Sequence, residues 1–223
     1  MNWHQLMERA LAALKSAGAA EAEPLLRQAL AACGETAEYK AMTYFNLGLV
    51  CYDLKRPAES ESYFQQAIEI IQDLLPKQNE LYGMFLKTMT EFYEKESRFA
   101  ESKKYYLLEI DHTRDMYGAR HPYVANIICE YTDVLIKLGE HAVAEKQLCR
   151  ALDVMSSARG VDHVQNGPIH ANLAKCYVAL GRKEDAEYHQ DRADEMAHRQ
   201  NKQMQGRLEQ GAVEAVDAEQ VMD

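Results

Sequence analysis

A 42-residue period constrains what this chain can fold into more than any other feature. Segments anchored at Lys55, Ser97, Gly139 and Gly181 begin 42 residues apart and agree in register. A small residue follows each anchor at a fixed offset (Ser60, Ser102, Ala144, Ala186), then a bulky one in three copies (Phe64, Tyr106, Leu148), with Gln190 in the fourth. Ahead of the anchors, Leu47, Met89, Tyr131 and Leu173 are each followed by Gly48, Thr90, Thr132 or Ala174. Cys51, Tyr93, Leu135 and Tyr177 come three residues later. Spacings of three and four are the period of a helix face. Small residues let two helices approach closely while bulky ones fill the groove opposite.

Each unit therefore reads as two antiparallel helices, A and B, with the turn at the anchor. The pattern predicts A helices over 37–54, 79–95, 121–138 and 164–180, and B helices over 57–75, 98–117, 141–158 and 183–199. Pro57 suits a first helical turn, Pro76 follows a helix end, and Gly118 and Gly160 suit helix C-termini. Pro168 falls inside the fourth A helix and predicts a delayed start or a kink there. A shorter, alanine-rich unit precedes the four, with Trp3 and Leu6 expected near an exposed end. Gln190 and Asp194 replace the bulky residues of earlier units, as a last repeat facing water requires. The expected organisation is all-α: a right-handed superhelical solenoid of about five helix pairs (1–36, 37–78, 79–120, 121–162, 163–199). An acidic extension, 200–223, partly helical or disordered, follows it.

Composition removes several classes. With 25 basic and 35 acidic residues the net charge is −10, so nucleic acid and anionic membranes are poor partners. No long apolar run exists to span a bilayer, and the first residues lack the pattern of a secretory leader. Five cysteines, an odd number set far apart, fit reduced thiols and a cytoplasmic setting.

Small residues and aromatics at these offsets resemble the tetratricopeptide repeat. The stretch Tyr117-Gly118-Ala119-Arg120-His121-Pro122-Tyr123-Val124-Ala125 resembles the kinesin light chain type more narrowly. Leu138-Gly139, Ala144-Glu145 and Arg150-Ala151-Leu152 agree with it, as do Asn172-Leu173-Ala174-Lys175-Cys176-Tyr177 and Leu180-Gly181-Arg182. The coiled-coil heptads that precede such repeats in kinesin light chains are absent, so no motor role is inferred.

The resemblance implies a concave groove lined by A helices that holds a peptide or helix of a partner protein. Its inward positions would be Met42, Phe45, Asn46, Leu49 and Tyr52 in the first full unit, then Lys87, Thr88 and Glu91. Asn126, Glu130 and Asp133 follow in the third unit, and Asn172 and Lys175 in the fourth. Asn46 and Asn172 share the offset at which the family grips a peptide backbone, a task suited to an amide that both donates and accepts. The offsets at which chaperone-tail binders clamp a carboxylate carry Phe45, Leu49 and Glu130, so that clamp is not expected.

Chemistry is otherwise sparse. Phosphate-cradling glycine loops, paired metal-ligand spacings and nucleophile motifs are all missing, so no catalytic residue, metal or cofactor is predicted. His170, aligned with Tyr44, Leu86 and Ile128, is expected to be a buried structural imidazole. Cys129 beside Glu130 would be a poor nucleophile, because a carboxylate raises a thiol pKa. The leading expectation is a non-catalytic adaptor. The second is a structural protein that self-associates through its terminal repeats.

Overall fold

The computed structural model describes residues 1–74 and 79–220, with side chains over 1–72 and 79–206. The expected helix end at residue 75, Pro76 and residues 221–223 lie outside the described residues. Ten α-helices and one 3-10 turn are described, without a strand among them: α1 (Trp3–Ser16), α2 (Ala19–Ala31), α3 (Ala37–Asp53), α4 (Pro57–Leu74), α5 (Glu80–Lys95) and α6 (Phe99–Tyr117) come first. They are followed by α7 (Pro122–Lys137), α8 (His141–Arg159), the 3-10 turn Val164–Asn166, α9 (Gly167–Ala179) and α10 (Lys183–Gln220). The chain divides into two units, Met1–Met116 and Tyr117–Asp223.

The four anchors are where the A helices end. Lys55, Ser97, Gly139 and Gly181 all take the left-handed conformation, with φ of 61°, 57°, 75° and 73°. At each, two hydrogen bonds close the helix. In the first, the Lys55 N–H donates to the Tyr52 carbonyl and the Arg56 N–H to the Cys51 carbonyl, both at 2.9 Å. The same pair recurs after α5, α7 and α9. This is the Schellman closure, which satisfies carbonyls that the end of a helix would leave orphaned. It reverses the chain within two residues, so helix B must run back along helix A.

Close approach of the paired helices depends on the small positions. A Cβ on Gly48 would lie 2.5 Å from the Phe64 ring, so α3 and α4 pack with that ring directly on backbone. The Ser60 hydroxyl donates to the Gly48 carbonyl at 2.8 Å, and the Ser102 hydroxyl to the Thr90 carbonyl at 3.3 Å. Ala144, at the same position, is fully buried. In the first unit Leu47, Phe85 and Met89 are fully buried; in the second, Leu135, Leu148, Met155 and Leu173 are. Each such side chain contributes roughly 1.5–3 kcal/mol to folding.

One expectation is overturned at the start of the chain. Trp3 and Leu6 are buried, not exposed (7% and 4%). The indole stacks on Tyr39 with 3.9 Å between centroids, and its Nε1–H donates to the Thr43 hydroxyl at 2.8 Å. The short first unit thus has a closed apolar face, made by a ring from α3. The fourth A helix starts at Gly167, the delayed start that Pro168 predicts: the 3-10 turn comes first and Pro168 then occupies the first turn, where its missing N–H costs nothing. Beyond 199, α10 continues as one helix to Gln220, the helical form of the two expected for the extension.

Candidate functional site

In the first unit, α3 and α5 form a small recess of about 100 Å³. Its floor holds Phe64 and Phe92, both buried, and its walls and rim hold Leu49, Tyr52, Thr88, Glu91 and Lys95. Four of the residues predicted from the sequence (Leu49, Tyr52, Thr88, Glu91) therefore meet here. Helix geometry explains the meeting. Leu49 and Tyr52 are three apart on α3, as Thr88 and Glu91 are on α5, so each pair projects from one helix stripe. Tyr52 stands edge-on to Phe92 at 5.6 Å between centroids, and the Lys95 ammonium lies 5.9 Å above the Tyr52 ring. Burial, followed by the nearby Glu96 carboxylate, pushes the Tyr52 hydroxyl pKa up, so the phenol stays neutral. The recess is thus apolar below and carries one anion and one cation above.

Other predicted residues of this unit serve packing. Phe45 is buried and stacked on Phe85, with ring centroids 4.2 Å apart. Met42 packs into the apolar cluster built by α1, α2 and α3. The Asn46 amide donates back to the Met42 carbonyl at 2.7 Å, within its own helix. Lys87 is exposed.

In the second unit, Asn172 is 4% exposed and sits between α7 and α9. Its Nδ2 donates to the Cys129 carbonyl at 3.5 Å, while its Oδ1 accepts from the Lys175 ammonium at 2.8 Å. Lys175 also lies 3.7 Å from the Asp133 carboxylate. These three predicted residues are brought together, but as a bridge between helices. Asn126 and Glu130 are exposed on α7. Burial, then Asp133 and Glu130, pushes the Cys129 thiol up to about 12, so it carries no nucleophilic thiolate at neutral pH. His170 is buried, with its Nδ1 2.7 Å from the Nδ1 of His189 on α10.

One set of residues was missed by sequence reasoning. After three of the four anchors the next residue is an arginine, and each reaches a glutamate on the preceding B helix: Arg56–Glu23 and Arg98–Glu61 at 2.6 Å, Arg182–Glu145 at 2.8 Å. The guanidinium groups of Arg98 and Arg182 also lie over Tyr93 and Tyr177, at 4.8 and 4.4 Å. The signal was present: the arginine recurs at one offset in three of the four units. Among the described residues, no cluster of three metal-ligating side chains occurs, and no helix is long and apolar enough to cross a membrane.

Solved structures share this fold. BtubC (BKLC) from P. vanneervenii superposes with a TM-score of 0.69 at 18% identity, over 89% of this chain and 80% of that one. A putative kinesin light chain from Podosopora anserina with nearly identical TPR-like repeats gives 0.70 at 15% identity, over 88% and 95%. MamA from Desulfovibrio magneticus RS-1 gives 0.63 at 10%, over 89% and 96%. No curated protein matches the sequence. The tetratricopeptide repeat family matches residues 4–73 and 133–197, more than half of the chain. With its paired helices, small crossing residues and left-handed anchors, this chain belongs to the tetratricopeptide repeat family.

Proposed function

We propose that the protein is an adaptor that holds a segment of a partner protein on the exposed face of its A helices. Repeats of this family serve generally as scaffolds for protein interaction. The observation that carries the finer reading is the recess between α3 and α5, where Leu49, Tyr52, Thr88 and Glu91 converge over Phe64 and Phe92. An apolar side chain of the partner would fill it. The partner backbone would then lie within reach of the Thr88 hydroxyl, which now donates to the Met84 carbonyl at 3.0 Å, and of the Tyr52 phenol. The volume fits one side chain rather than a metabolite, since small-molecule sites run to about 300–1,000 Å³.

The test is capture of partners from native lysate by the wild type and by Leu49→Glu/Glu91→Lys. Both substitutions alter exposed groups and leave the core intact. A protein retained by the wild type and lost by the variant supports the reading. Identical retention by both sinks it. Asn172→Ala is unsuitable, because it would open a gap between α7 and α9. Self-association is not favoured: Trp3 and Leu6, whose exposure would have driven it, are buried.

A further inference from the structure

A second and larger recess, about 330 Å³, opens in the first unit between α4, α5 and α6. None of the residues that line the smaller recess takes part in it. Its apolar surface comes from the Tyr82 ring and Leu108, with Ile71 buried beneath, while Asp111 and Asp115 are exposed at its edge. Asp111 and Asp115 are one helical turn apart on α6, so their carboxylates project from the same stripe. Arg114 reaches Asp111 only at 3.4 Å, and the Asp111 side chain remains 74% exposed, so its charge is open to another cation.

His112 forms part of the wall and is 8% exposed. Its ring stands edge-on to Tyr82 at 5.3 Å between centroids, and it fits only because residue 83 is glycine: a Cβ there would lie 2.8 Å from the imidazole Nε2. Among the described residues the buried Nδ1 has no hydrogen-bond partner. Tyr82 is held in turn by Gln72, whose amide donates to the phenol oxygen at 2.8 Å. The walls are therefore built and oriented, with one polar atom left unmet.

We infer that this recess docks an arginine side chain that a partner protein presents beside an apolar residue. An arginine carries a hydrocarbon stem that suits Leu108 and a planar head that suits carboxylates and the face or edge of Tyr82. The net charge of −10 favours approach of such a cation. A single side chain would not fill the volume, so the residue beside it enters too. An anionic ligand would meet Asp111 and Asp115 and be repelled.

The probe is Nα-benzoyl-arginine amide, which joins an aromatic ring to a guanidinium, titrated into the full chain and followed by amide NMR shifts. Its citrulline counterpart keeps the shape and removes the charge. Saturable shifts centred on α4, α5 and α6 are expected. Affinity should fall roughly tenfold for the citrulline compound and for Asp111→Asn/Asp115→Asn, since both remove a charge-assisted contact. Both aspartates are exposed, and a matching far-ultraviolet spectrum shows that the variant is folded; Asp115→Asn alone gives a milder second variant. Equal binding of the citrulline compound, unchanged binding by the variants, shifts centred on Leu49 and Thr88, or no saturable binding would each overturn the inference.

Discussion

At the scale of single residues, the turn between helices is where chemistry and geometry are most directly linked. Lys55 and Ser97 occupy the same left-handed position as Gly139 and Gly181. A Cβ is crowded there by roughly 1–2 kcal/mol, a cost glycine avoids. Lys55→Gly and Ser97→Gly are therefore expected to stabilise the protein by about 1 kcal/mol, and Gly139→Ala to destabilise it by a similar amount. Urea midpoints at fixed slope would report both signs. If the three substitutions moved the midpoint in one direction, the turn would not be under this strain. The anchor positions were legible as repeat landmarks, but two of the four carry no glycine, so their backbone conformation was not.

Within elements, the α9–α10 pair contains the clearest titratable device. The Nδ1 atoms of His170 and His189 are 2.7 Å apart, so one donates and the other must accept, which requires a neutral ring. Burial first, then His189 and Arg192, push the His170 pKa down to about 4; burial also lowers that of His189, against the pull of Asp185 and with a smaller push from Arg182. A lowered folded-state pKa means that the unfolded chain binds more protons between the ordinary histidine value of about 6.5 and about 4. The stability this supplies is complete above the upper value and is lost as the pH falls toward the lower. We expect the melting temperature to drop between pH 7 and pH 5 more steeply for the wild type than for His170→Leu, which copies Leu86 of the second full unit. Parallel slopes would show that the pair does not govern acid stability. The sequence placed His170 at a packing position, and the structure agrees. Its partner lies on another helix, which no helix period specifies.

Across the whole molecule, helix pairs repeat the same contacts, and each Arg–Glu bridge spans 33 or 37 residues of sequence. These bridges sit in partly exposed positions, where ion pairs stabilise little and are screened by salt. Arg98→Gln should lower the melting temperature by about 2 °C at low ionic strength, and the difference should vanish in concentrated sodium chloride. A loss that persists at high salt would point to the stacking of Arg98 on Tyr93 instead. At the end of the array Gln190 and Asp194 are exposed and joined by a 2.9 Å hydrogen bond, so the last B helix presents a polar outer face. That face limits further stacking in the way a terminal repeat does.

What the sequence by itself determined was the local and periodic part: helix pairs every 42 residues, turns at the four anchors, and small residues where the paired helices cross. These follow from backbone sterics and from the side-chain period of a helix, and both act within a few residues. Which residues stay open to a partner was decided only by tertiary structure. Phe45 and Asn172 stand at helix offsets read as inward-facing, yet Phe85 covers the first and Cys129 and Lys175 engage the second. Trp3 is closed over by Tyr39, and the recess lined by Asp111 and His112 needs three helices to exist. A helix period assigns a side chain to a face. Whether that face is solvent, wall or core depends on neighbours tens of residues away, whose packing sets what remains for binding.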